Sequence, residues 1–294
     1  MVDGLVVVDK ATGWTSHDVV AKCRGIFGQK RIGHAGTLDP GATGVLLVGL
    51  GRVTRLLRYP GSQPKTYTGE VVLGVETSTL DDEGDVVATH DMAGVTLDDV
   101  RSVAAGFVGD IAQVPPMVSA VKVGGRRLHD LARHGVEVKR EPRHVVVHRL
   151  EVEDGDEPGV FRVEVSCSAG TYVRVLAADL GRSLGGGAHL RRLRRTAVGE
   201  FRIDEARPVE ALGPEAVLAP IEAMRGHQLV TVADDVAAVV AHGTVLDEAG
   251  LGVDGEGPWA VADGTGALLA VYESTPEGRV KPAVVLGTEP SPDP

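Results

Sequence analysis

Cysteine is nearly missing from this chain: Cys23 and Cys167 are the only two in 294 residues, far apart and without metal-type spacing. A disulfide framework is thereby excluded and no structural zinc is expected; reduced thiols fit a cytoplasmic protein. Long apolar runs are lacking as well. The N-terminal run Leu5 to Val8 lies between Asp3 and Asp9, too short and too acidic at its flanks for a signal peptide or a membrane span, so it reads as a core strand. There is no Cys-x-x-Cys pair, no phosphate-binding G-x-x-x-x-G-K-[ST] loop and no repeat of solenoid length.

Positive charge is scarce overall, with a formal net charge of -11, yet the deficit is local. Residues 204–294 hold 16 acidic and 4 basic side chains, leaving 25 acidic and 26 basic in residues 1–203. The first two thirds are therefore near neutral, and their basic clusters can face a polyanion. One cluster comprises Lys122, Arg126, Arg127, Arg133, Lys139, Arg140 and Arg143; the other comprises Arg182, Arg191, Arg192, Arg194 and Arg195.

What the chain has in concentration is glycine between residues 33 and 44, Gly-His-Ala-Gly-Thr-Leu-Asp-Pro-Gly-Ala-Thr-Gly. Four glycines and a proline predict a rigid loop with neither helix nor regular strand, and the apolar run Val45 to Val48 ties it to a buried element. Asp39 is its single carboxylate. Taken alone, it is a turn-stabilising cap, a metal ligand, or a nucleophile or base.

The rest of the pattern predicts an α+β fold with a mixed or antiparallel sheet flanked by helices. Ser16 is read as the N-cap of a helix through Phe27, with Val19, Val20, Cys23 and Ile26 at helical spacing. A short basic helix is expected around Arg52 to Arg58, strands over Lys65–Val75, Val145–Val152 and Val160–Cys167, and helices near Leu97–Phe107, Arg126–His134 and Thr171–Leu184. The acidic, turn-rich segment Thr77 to Asp91 reads as a surface excursion. Short β-like runs beyond Pro208 predict a small β-rich domain. The expected division is residues 1–210, 227–289 and a disordered tail, 290–294.

Six ordered blocks give the chain a resemblance. They are Val8-Asp9-Lys10 with Gly13 and Thr15-Ser16; Gly33 to Pro40 with Ala42-Thr43-Gly44; Lys65-Thr66-Tyr67; Val114 to Met117 with Ser119-Ala120 and Lys122; Gly170 to Arg174; and Gly187 to Leu190 with Leu193 to Arg195. Together they resemble the TruB family of tRNA pseudouridine-55 synthases over residues 4–205. The resemblance implies a pseudouridine synthase fold, a PUA-like C-terminal appendage, and a cofactor-free, metal-free isomerisation of a T-loop uridine. It makes Asp39 the catalytic residue and Arg174 its charge partner. Tyr67, Tyr172 and Leu193 would line the uracil pocket, His34 would stack in the RNA, and Lys10 would support the loop or the RNA backbone.

The arginines Arg126, Arg127, Arg191, Arg192, Arg194 and Arg195 are expected on the RNA backbone, and the partner is the T-arm of tRNA, met by a monomer. Base extrusion from a folded loop costs a few kcal/mol, which such phosphate contacts offset. Ala11, Gly41 and Val118 depart from the family pattern at positions of loop rigidity and packing. The competing readings are a non-catalytic tRNA-binding or tRNA-folding protein on the same scaffold, and a glycosylase that releases uracil.

Overall fold

The apolar runs on either side of the glycine-rich stretch become neighbouring strands of one mixed sheet. The computed structural model describes residues 1–116, 122–123, 126–127, 138 and 140–286. Strand β1 (Gly4–Lys10) leads into helix α1 (Ser16–Ile26), which is followed by β2 (Ile32–Ala35) and β3 (Thr43–Leu50). The N-cap is Thr15 rather than Ser16: its hydroxyl accepts from the Asp18 amide and Asp18 reaches back, a reciprocal box that leaves Ser16 free to point inward. Residues 32–35 also correct the expectation of a loop from residue 33, because Gly33, His34 and Ala35 pair with Gly49, Val48 and Leu47.

A 3₁₀ turn (Gly51–Arg55) and the short α2 (Arg58–Ser62) stand where one basic helix was expected. Then come β4 (Lys65–Leu73), the hairpin β5 (Val75–Thr77) and β6 (Val86–Thr89), α3 (Leu97–Ala105) and β7 (Gly109–Gln113). The two-residue strands β8 (Lys122–Val123) and β9 (Arg126–Arg127) pair with each other. The expected helix from Arg126 thus begins as a strand, and its remainder, 128–134, lies outside the described residues, as do Met117, Ser119, Ala120 and the tail 290–294. Next are β10 (Arg143–Asp154), β11 (Val160–Cys167), α4 (Val173–Ser183), β12 (Ala188–Val198), β13 (Phe201–Arg202) and β14 (Arg207–Pro208).

Among the described residues the sheet runs β14-β1-β3-β12-β4-β11-β10-β7, with β2 joined to β3 and β13 to β12; only β1/β14 and β3/β12 are parallel. Its two faces are both buried. Val6, Val8, Leu46 and Val48 pack with α1, α3 and α4, while Leu5, Val7, Val45 and Leu47 face the other way. That is why β1 and β3 read as unbroken apolar runs instead of alternating ones.

The second face is covered by Ala223 and Met224 and by a five-stranded sheet in the order β15 (Gln228–Thr231), β17 (Trp259–Ala262), β18 (Leu268–Ser274), β19 (Arg279–Val285) and β16 (Leu246–Asp247). Helices α5 (Asp234–Ala241) and α6 (Glu248–Leu251), unread in the sequence, accompany it. The basic turn docks this sheet: Arg52 donates to the Leu286 carbonyl and Arg55 to that of Val285, both at 2.7 Å, and Arg58 pairs with Glu273 at 2.8 Å.

Candidate active site

Between β2 and β3 the chain makes a short loop, residues 36–42, and four separate elements hold it. Ser16 Oγ accepts from the Leu38 amide at 2.9 Å and donates to the Leu38 carbonyl at 3.2 Å. The Gly13 amide donates to the Pro40 carbonyl at 2.9 Å. Lys10, almost fully buried, donates to the carbonyls of Pro40 (3.1 Å), Ala11 (3.0 Å) and Trp14 (2.6 Å). Arg195 donates to the Gly36 carbonyl at 2.9 Å and to that of Val45 at 2.7 Å. Gly44, at φ +103°, lets β12 cross here, since a Cβ would lie 2.2 Å from the Arg195 carbonyl oxygen.

The loop presents Asp39 to Arg174, the second residue of α4. Arg174 Nη2 lies 2.9 Å from Asp39 Oδ2, and its Nη1 lies 3.2 Å from Asp81 Oδ2 and 2.7 Å from the Thr79 carbonyl. The arginine side chain is 5% exposed, Asp81 15% and Asp39 43%. One buried guanidinium therefore bridges two carboxylates, Asp81 mostly covered and Asp39 the more reachable.

Asp81 was not picked out in the sequence, and its segment is no mere surface excursion. The β5–β6 turn folds back so that the Leu190 amide donates to the Leu80 carbonyl at 3.0 Å, bringing Asp81, Asp82 and Glu83 to the mouth of the site. A family of acids beside a turn carries no signal of this; only the long-range pairing with β12 creates it.

Two adjoining cavities meet at Asp39 and Arg174. The inner one, about 290 Å³, is walled by Tyr67, Tyr172, Leu193, Lys65 and the Gly36–Leu38 backbone. The outer one, about 440 Å³, adds Thr12, Asp81, Glu83, Arg192 and Arg194. Burial raises the Tyr67 phenol above its ordinary range, so it keeps its proton at neutral pH beside Arg195. Burial likewise lowers Lys10 and Lys65 to about 8 each, opposed at Lys10 by the nearby Asp39 and Glu83 carboxylates.

His34 sits on β2, edge-on to His17 with ring centroids 5.4 Å apart. Its Nδ1 is buried without a hydrogen-bond partner among the described residues, and burial lowers its pKa to about 4, so the ring is neutral at physiological pH. It lines neither cavity.

Of the arginines expected on an RNA backbone, Arg195 is the clear correction: it is 1% exposed and its donors go to the carbonyls of Gly36 in the loop and Val45 on β3. Arg191 and Arg192 share Glu70 at 2.7 and 2.9 Å, and Arg194 grips Asp9 with both terminal nitrogens at 3.0 and 2.7 Å. Arg192 is the most exposed of these, at 63%. For Arg126 and Arg127 only the backbone lies within the described residues.

Among the described residues no three His, Cys, Asp or Glu side chains converge on a point that holds a metal ion. The cation between Asp39 and Asp81 is Arg174 itself. His144 and His148 are spaced like metal ligands, but on strand β10 four residues span about 13 Å, too far to share one ion.

Comparison with known proteins shows the family and the fold. Residues 24–173 match the family model described as TruB family pseudouridylate synthase (N terminal domain), and residues 174–224 match tRNA pseudouridylate synthase B C-terminal domain. A Symbiobacterium thermophilum protein named tRNA pseudouridine synthase B is 50% identical over 247 residues, 82% of each chain. A Mycobacterium sp. protein of the same name is 44% identical, with 96% of each chain covered. In a Cbf5-Nop10-Gar1 complex, a chain 27% identical superposes with a TM-score of 0.71, covering 92% of this chain and 78% of that one. A chain from an H/ACA RNP bound to a substrate RNA containing 2'-deoxyuridine, 24% identical, shares the fold with a TM-score of 0.74, covering 97% of this chain and 85% of that one.

Proposed function

Because this chain belongs to the TruB family of pseudouridylate synthases, we propose that it isomerises the T-loop uridine of tRNA, position 55, to pseudouridine, with Asp39 as the essential catalytic residue. The N1–C1' bond breaks, the uracil turns, and a C5–C1' bond forms; C5 loses a proton and N1 gains one. The sum is redox-neutral and needs no co-reactant.

The observation that carries this reading is the Asp39 carboxylate held 2.9 Å from a buried arginine at the junction of a tyrosine-walled cavity and an open mouth. Attack on the sugar and proton abstraction both need the carboxylate held in a fixed rotamer, which the ion pair with Arg174 supplies. The inner cavity takes one extruded nucleotide, with Tyr67, Tyr172 and Leu193 against its base. Its extrusion is offset by phosphate contacts from Arg192 and Arg194 at the mouth and from Arg126 and Arg127, and by the neutral His34 ring filling the place the base left. Lys10 supports the loop from within.

In this reading residues 1–210 form the catalytic domain and 227–289 a PUA-like module whose only basic residues, Arg279 and Lys281, give it little electrostatic pull on RNA. The enzyme acts as a monomer in the cytoplasm; no helix among the described residues is long and apolar enough to cross a membrane. The test uses an unmodified tRNA transcript carrying tritium at C5 of uridine. Wild-type protein releases the label to water and leaves one mapped pseudouridine, and Asp39→Ala releases none. A wild type without product sinks the enzymatic reading, and an active Asp39→Ala sinks the residue assignment.

A further inference from the structure

Strand β12 does not keep one register along β4. Leu190 pairs with Val71 and Arg191 with Glu70, but the next pairs are Arg194 with Thr68 and Arg195 with Tyr67, so β12 spends one residue more than its partner. Arg192 lies in that bulge at φ +54°, left-handed, and only Leu80 among the described non-glycine residues shares a positive φ.

Side chains on a strand alternate between faces, so one extra residue exchanges the faces of everything beyond it. Continued in the register of the Leu190–Val71 pair, β12 would set Arg194 opposite Tyr67 and turn Leu193 and Arg195 to the other side of the sheet. With the bulge, Arg195 is the partner of Tyr67 and reaches the Gly36 and Val45 carbonyls, while Leu193 walls the inner cavity. On β4 the single residue opposite the bulge is Gly69, between Thr68 and Glu70.

We infer that Arg192 is a positioning residue: its left-handed backbone turns Leu193 and Arg195 into the pocket, a role separate from its charge. Its guanidinium is engaged with Glu70 on the outer side. The functional meaning of the pocket rests on the pseudouridine reading, whereas the register itself does not.

The test compares Arg192→Gly, Arg192→Asn and Arg192→Val. All three lose the guanidinium and the Glu70 pair, but glycine and asparagine accept the left-handed region and β-branched valine resists it. All three are expected to weaken tRNA affinity alike, while the single-turnover rate at saturating tRNA falls about tenfold further in Arg192→Val than in the other two. Equal single-turnover rates in the three variants overturn the inference. Should Arg192→Val not fold in a thermal scan, Arg192→Ala must turn over more slowly than Arg192→Gly, and equality there overturns it too. If the wild type makes no pseudouridine, the reaction reading fails on its own; a crystal structure of Arg192→Val with Leu193 still in the cavity then overturns the positioning role of Arg192.

Discussion

Replacing Arg174 by lysine isolates what the guanidinium does beyond carrying charge. Its two terminal nitrogens reach Asp39, Asp81 and the Thr79 carbonyl from a side chain that is 5% exposed. A lysine ammonium has one nitrogen where the guanidinium gives Asp39 and Asp81 a separate nitrogen each, so it cannot reproduce that fixed two-point geometry. Full loss of a buried partner costs ~3–5 kcal/mol, and Arg174→Lys, which keeps the charge beside Asp81, is expected to lose about 2 kcal/mol of stability. Asp39 is 43% exposed, so solvent screens its share, which adds less than ~1 kcal/mol. The catalytic effect is larger. A carboxylate displaced by about 1 Å costs roughly 100-fold, and this should fall on kcat, because so buried an arginine offers no contact to RNA phosphates. Urea unfolding and steady-state tritium release measure the two effects separately. A kcat within a factor of about three of wild type, or a loss confined to KM, would refute the reasoning.

Two further outcomes follow from the loop and its neighbours. Ser16→Ala leaves a buried amide and carbonyl of Leu38 without partners, so a stability loss of about 1–3 kcal/mol is expected, with kcat reduced because Asp39 is the next residue; an unchanged urea midpoint would contradict the stapled loop. His34 has its folded pKa lowered from 6.5 to about 4, so the stability it contributes is complete above pH 6.5 and is lost as pH falls towards 4, by at most about 3 kcal/mol. His34→Phe should flatten that part of the pH–stability curve while retaining tRNA affinity through ring stacking, and an unaltered curve would show that burial of the imidazole is not the cause. Lys10 and Lys65, both lowered from 10.5 to about 8, act in a separate window above pH 8 and leave the acidic limb undisturbed.

Local sequence was a good guide wherever a residue's role was set by its near neighbours. The turn-formers around Asp39, the apolar runs of β1 and β3 and the helical spacing of α1 all became the elements their patterns implied. Long-range pairing was not visible in the same way. Asp81 reads as one acid among several until the Leu80–Leu190 hydrogen bond brings its turn onto β12. Arg195 reads as one more surface arginine until a bulge two and three residues earlier exchanges its face. Ser16 and Thr15 are interchangeable as caps by composition, and it is the buried Leu38 backbone that claims Ser16. The short helices α5 and α6 were hidden because their alanine- and glycine-bearing segments sit among β-like runs.

The five-stranded sheet is more than an appendage, because the face it covers belongs to the strands that bear the Asp39 loop. Val45 and Leu47 of β3 and Ala35 of β2 share one apolar cluster with Ala260, Leu268, Val271, Val284 and Leu286. Cutting the chain near residue 226 would strip the lining from behind the loop and leave Arg52 and Arg55 without their carbonyl acceptors. The acidic module, poor in contacts a polyanion would seek, works as a backing plate: it keeps stiff the two strands from which the reactive carboxylate hangs.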